Sequence, residues 1–222
     1  MTKVVSWTNI CLIACALAVL TLANSEARSA QAQKVPESLV NVGEFGENAY
    51  DLAKAGDWPK VNEKVEALKD QTKKLSGDLK DAKAEHKRLG EVLSALAKAA
   101  AAKDKLATMR QANQITKIAA DLSEPFNPEI PAGVTRLDFY GRELELGTAT
   151  KDKTQLKAAA EGLRKDWDKL RAGVKSKGGD AQAKRFDALL TSVEMAKTIQ
   201  DYGKLVMPIL DEVDNLEKVF KK

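Results

Sequence analysis

The sequence predicts an all-α protein: up-and-down antiparallel helical bundles, in two tandem pseudo-repeats of about four helices each, behind an N-terminal signal peptide. Three observations carry that prediction. Apolar residues recur at alternating steps of four and three, which lays a stripe along one side of a helix. The stripes recur about 95 residues apart. No alternating β-branched run and no hairpin dipeptide flanked by one occurs anywhere. Abundant Ala, Leu, Lys and Glu and few aromatics point the same way.

Residues 1–32 read as the signal peptide. Lys3 gives a positive start, Ile10 to Ala23 is almost unbroken apolar sequence, and Ala30-Gln31-Ala32 is a small-residue cleavage triplet. The apolar run is too short for a spanning helix, which needs about 20 residues. Leu12-Ile13-Ala14-Cys15 resembles a lipobox and would make Cys15 a lipidated N-terminus. Against that, the apolar run continues for eight residues beyond Cys15. Both cysteines, Cys11 and Cys15, fall within the leader, so the mature chain holds no thiol. The expected location is periplasmic or secreted, with no transmembrane segment in the mature chain.

The first repeat is read over residues 33–124, with helices at Ser38–Ala55, Trp58–Ser76, Leu79–Ala102 and Lys105–Leu122. Its clearest stripe is Val61, Val65, Leu68, Thr72, Leu75 and Leu79. The rhythm runs on through Ala82, His86, Leu89, Leu93 and Leu96, which leaves one long helix over 58–102 as an alternative. Residues 125–134 form a connector in which Pro125, Pro128 and Pro131 forbid helix. The second repeat is read over 135–222, with helices at Thr135–Ala149, Lys153–Lys177, Ala181–Lys197 and Tyr202–Lys221. Leu156, Ala160, Leu163, Trp167, Leu170 and Val174 repeat the first stripe at an offset of 95. Phe45-Gly46 falls on Tyr140-Gly141 at the same offset. Met109, Ile115, Ile118 and Leu122 fall on Met207, Val213, Leu216 and Phe220 at 98, as small loop insertions would produce.

Helix starts are marked by Asp57, Asp78, Asp104, Asp152, Asp180 and Asp201, each able to accept from free backbone N–H groups. Gly77 and Gly179 suit a left-handed closing residue. Thr135 and Asp138 resemble a capping box, and Asp138 with Arg142 reads as a surface ion pair.

Inventory excludes most catalysis. Without cysteine, the mature chain has no thiol nucleophile, zinc-thiolate site or Fe–S cluster. No GxGxxG, P-loop, GxSxG or HExxH pattern occurs. The single histidine, His86, reads as a helix-flank residue, since its counterpart in the second repeat is Ala183. Net charge is +4, falling to +3 once the leader is removed, and 31% of residues are charged with both signs mixed. That is a solvated surface without the clustered basic face of a nucleic-acid binder. Trp167 and Met207 read as core. The exported helical layout resembles that of imelysin-type iron-uptake proteins and of the cytochrome b562 type, but the imelysin-type Gly-x-His-x-x-Glu motif is absent, as are paired haem ligands. The resemblance therefore implies architecture alone.

The leading functional expectation is a non-enzymatic exported bundle that binds another envelope protein and needs no cofactor. Its partner surface is placed at the connector and the helix after it, on Phe126, Ile130 and Tyr140. The alternative is a periplasmic carrier or sensor of a hard divalent or ferric cation, held by Asp211, Asp214 and Glu217. Glu44, Glu47 and Asp51 share a face of the first helix and would supply converging carboxylates. These stripes are asymmetric between the repeats: Asp211, Asp214 and Glu217 correspond to Asn113, Thr116 and Ala119, and Glu44, Glu47 and Asp51 to Phe139, Arg142 and Leu146. A cofactor-free enzyme, reliant on Asp, Glu, Lys or Tyr, is the third reading.

Overall fold

The computed structural model describes residues 34–78 and 82–221; the expected leader and Leu79 lie outside them. Eight helices follow in order: α1 (Glu37–Ala55), α2 (Trp58–Asp78), α3 (Lys83–Ala101), α4 (Lys105–Ser123), α5 (Ala132–Thr150), α6 (Lys153–Ser176), α7 (Asp180–Met195) and α8 (Ile199–Phe220). A single 3-10 turn, Glu124–Phe126, follows α4, and no strand occurs among the described residues.

The 3-4 stripes become the cores. On α2, Val61, Val65, Leu68, Thr72 and Leu75 are all buried. On α6, Leu156, Leu163, Trp167, Leu170 and Val174 are buried. Each large aliphatic or aromatic side chain withdrawn in this way contributes about 1.5–3 kcal/mol of transfer free energy. Neighbouring helices pack α1–α2–α3–α4 with α1 against α4, and α5–α6–α7–α8 with α5 against α8. This gives two four-helix sets, each around its own core, within one compact unit over Lys34–Lys222. α2 and α3 pack on each other, so the continuous helix over 58–102 does not form. His86 joins them, its Nε2 lying 3.2 Å from the Thr72 carbonyl oxygen.

The sets join where α4 packs along α5. α5 is buried on several sides at once, through Arg136, Leu137, Phe139, Arg142, Leu144 and Leu146. Leu146 belongs to the core of the first set and Leu144 to that of the second. α1 and α5 also meet, and they run parallel. Tyr50 bonds Glu145 and Arg142 bonds the Glu47 carbonyl, both across 95 residues, the offset at which Gly46 aligns with Gly141.

Several helix ends differ from the sequence reading. α5 begins at Ala132, and Thr135 lies inside it. Pro131 occupies the N-cap, a place where a missing N–H costs nothing. The expected Thr135–Asp138 capping box is therefore not formed. A true capping box opens α8, with Thr198 as cap and Asp201 as its reciprocal partner, so Asp201 is the third residue of the box and not the cap. Asp104 and Asp152 do cap α4 and α6. Asp180 is the first residue of α7, behind Gly179 at the cap position, and Asp78 ends α2 instead of starting a helix. The left-handed glycine before α7 is Gly178, with φ 79°, whereas Gly179 has φ −90°.

Candidate functional site

A cleft of about 360 Å³ opens between the first half of α1, the ends of α4 and α8, and the start of α5. Val35, Leu39, Val40 and Ile130 give it apolar walls, Glu44, Glu47 and Glu217 give it negative charge, and Lys221 stands at its edge. Its size is at the small end of ligand-binding clefts. The lining is pairwise related: Val35 and Ile130, and Val40 and Thr135, are 95 residues apart, while Ala119 and Glu217, and Ser123 and Lys221, are 98 apart.

Behind the cleft wall lies Arg142, whose side chain is only 11% exposed. Its guanidinium stacks 4.6 Å from the Tyr50 ring centre and donates to the Glu47 carbonyl at 3.4 Å. Nε sits 2.8 Å from Asp138 Oδ2 but off the N–H line, so that buried oxygen gains a charge partner without a hydrogen bond. Asp51 lies 3.7 Å from Nη2. Asp138 and Arg142 are therefore a buried pair at the junction of the sets, correcting the surface ion pair expected from their i, i+4 spacing. Burial occurs because α5 has neighbours on several sides. Beside them Tyr50 Oη donates to Glu145 Oε2 at 2.8 Å, and Lys54 pairs with Glu145 Oε1 at 2.6 Å.

Carboxylates outnumber cations here. Burial pushes the Glu47 carboxyl up to about 7, with Asp138 raising it further, Arg142 opposing, and Glu217 and Asp51 adding. Burial likewise pushes Asp138 up to about 6; Arg142 opposes, and Asp51, Asp214 and Glu217 add. For Arg142 burial works against the charge, but Asp138, Asp51 and Glu47 hold its pKa above the ordinary value. Burial and the Glu145 carboxylate push the Tyr50 phenol up. Among the described residues the Glu44 and Glu47 carboxylates make no hydrogen bond and no ion pair within 4 Å, while Glu217 is held by Lys221 at 3.1 Å.

The sequence-derived acids are only partly gathered. Glu217 lines the cleft, while Asp211 and Asp214 are both exposed and neither lines it; Asp214 and Glu217 both raise the Asp138 pKa. Among the described residues no three His, Cys, Asp or Glu side chains form a group that could hold a metal ion. Of the partner residues, Ile130 lines the cleft; Phe126 packs half-buried on the first core. Tyr140 lies half-buried on the second core, its ring over Gly162, where any Cβ would collide with it. Trp167 is fully buried, as expected, and donates from Nε1 to Asp187 at 2.8 Å. Met207 is 55% exposed instead of core, because the buried register of α8 is Val206, Ile209, Val213 and Leu216.

Asp138, Arg142 and Glu145 were not singled out by sequence as site residues. No local sequence signal marks them, because Arg142 meets the Glu47 carbonyl and the Asp51 carboxylate of a helix distant in the chain. No described helix is long and apolar enough to cross a membrane. The chain matches no family model, no curated protein and no solved structure, so the site rests on its own residues.

Proposed function

We propose that this chain is an exported, non-enzymatic binding protein of the cell envelope, acting through the cleft between α1, α4, α5 and α8. The observation that carries the reading is the meeting of an apolar wall with carboxylates, Glu44 and Glu47, that make no hydrogen bond and no ion pair within 4 Å among the described residues. Ile130 of the connector and Val40, which is 45% exposed, face the same space as Glu44 and Glu47. An occupant that brings apolar surface and positive charge would complement both features.

Export through the leader at residues 1–32 and an internal duplication belong to the same reading. N-terminal sequencing of the exported chain tests the first, with Gln33 as the expected start. For the cleft, a photo-crosslinking residue placed at Val40 captures a partner in envelope fractions. The same residue at Met195, which is 71% exposed and does not line the cleft, does not. Equal capture at both positions, or none at Val40, contradicts the reading. A hard-cation carrier is the second reading, supported by Glu44, Glu47 and Glu217 lining one cleft. Equilibrium dialysis with metal analysis tests it, and an empty protein removes it.

A further inference from the structure

The α4–α5 contact and the α8–α1 gap occupy matching places in the two sets, and their chemistry is opposite. On the α4–α5 side Asn113 donates to the Phe139 carbonyl at 3.1 Å and to Glu143 Oε1 at 2.7 Å. The Lys117 ammonium lies 5.9 Å from the Phe139 ring centre and pairs with Asp121 at 2.6 Å. Amide, cation and ring close that seam. At the 95- to 98-residue offset, the positions of Asn113, Lys117, Phe139 and Glu143 fall to Asp211, Asn215, Glu44 and Asn48. The amide has become a carboxylate, the lysine has lost its charge and the ring has become a second carboxylate. α8 and α1 do not pack along each other as α4 and α5 do, and the cleft lies between them.

What the open side lacks, relative to the closed one, is a positive charge and an apolar side chain. The chain's own nearby cations are already engaged: Arg142 by Asp138, and Lys221 by Glu217. We propose that the α8–α1 gap is a docking surface for a basic, amphipathic segment of a partner protein. Its Lys or Arg side chains meet Glu44 and Glu47, and its apolar residues lie on Val35, Val40 and Ile130. This rests on the reading of the chain as a binding protein and names the chemistry of its partner. The net charge of +4 makes the inference selective, since a basic segment is repelled by the chain as a whole and gains only where acid is concentrated.

The test titrates the full chain with a fluorescent peptide of leucine and lysine at helical spacing, followed by anisotropy, with glutamate replacing lysine in the control peptide. The lysine peptide binds and the glutamate peptide does not. Glu44→Gln with Glu47→Gln weakens binding about tenfold, the size of two partly exposed charge pairs. Glu66→Gln with Glu161→Gln, on α2 and α6 outside the cleft, leaves it unchanged. Equal weakening by both pairs of substitutions, or equal binding of both peptides, overturns the proposal. If Val40 captures a partner but the lysine peptide fails to bind, the basic chemistry is wrong and the binding-protein reading stands. If both fail, both fall.

Discussion

α4 against α5 and α8 against α1 each set the last helix of one four-helix set beside the first helix of the other, and the first pair is sealed while the second gapes. The sealed pair carries Asn113, whose amide N–H donates to the Phe139 carbonyl and to Glu143 while its Oδ1 stays buried without a hydrogen-bond partner. It also carries Lys117, whose ammonium lies near the Phe139 ring. It is further closed by Arg136, which bonds Glu124 at 3.1 and 3.2 Å, Asp166 at 3.2 Å and Asp121 at 3.4 Å. The open pair carries Asp211, Asn215 and Glu44 at the matching positions. Helix length and stripe pattern are nearly the same in both sets, so a handful of polar residues decides which surfaces close. Like charges facing each other cost energy that an apolar stripe elsewhere does not return.

Removing Arg142 breaks this comparison most severely, since it leaves Asp138 and the Glu47 wall without their buried cation. Arg142→Met loses about 3–5 kcal/mol at pH 8, the usual cost of stranding a buried charge. At pH 5, where Asp138 and Glu47 hold their protons, the loss is smaller; urea unfolding at both pH values measures the difference. Gly162→Ala is next. It displaces the Tyr140 ring, which already lies where a Cβ would go, and costs about 1–3 kcal/mol by overpacking. Retention of full stability would show that the ring swings aside freely.

The smallest effects sharpen the contrast between the seams. Asn113→Ala leaves the Phe139 carbonyl and Glu143 short of a donor and costs about 1–2 kcal/mol. Asp211→Ala, at the matching but exposed position, changes stability by less than about 0.5 kcal/mol. Thermal melts of the two variants read this directly, and similar losses would mean that both seams are closed in solution.

Much of the fold was legible in the sequence. The stripes of α2 and α6 place Val61 through Leu75 and Leu156 through Val174 correctly, because 3.6-residue periodicity depends only on local spacing. Trp167 and the caps Asp104 and Asp152 were equally readable. Pro131 falls in the expected connector, so Thr135 reads as the cap, though proline is at home where a helix begins. The junction was not legible. A charged pair at i, i+4 normally faces solvent, and nothing local to Asp138 and Arg142 announces that a second helix set covers them. Met207 failed for a related reason: its counterpart Met109 is on a helix buried from two sides, and Met207 is not. Ile130 and Glu217 were each named, for different functions, and only the folded chain brings them to one cleft.

The central claim is that the junction of the two sets holds more carboxylate than it can neutralise, with Glu47 its most burdened member. A carboxyl whose pKa rises on folding stabilises the fold while protonated, and loses that contribution as pH climbs through the folded value. For Glu47 the loss runs between about pH 4.5 and 7 and is on the order of 3 kcal/mol. The lowered pKa values of Asp57, Asp187 and Asp201 act oppositely, removing stability as pH falls through the acid range. Unfolding free energy measured against pH for the unaltered chain and Glu47→Gln decides the matter. Stability is expected to peak at about pH 4 to 5 and to decline toward about pH 7 in the unaltered chain, with that decline much flattened in the variant. Two parallel curves, or stability that rises from pH 5 to 7, would contradict that expectation.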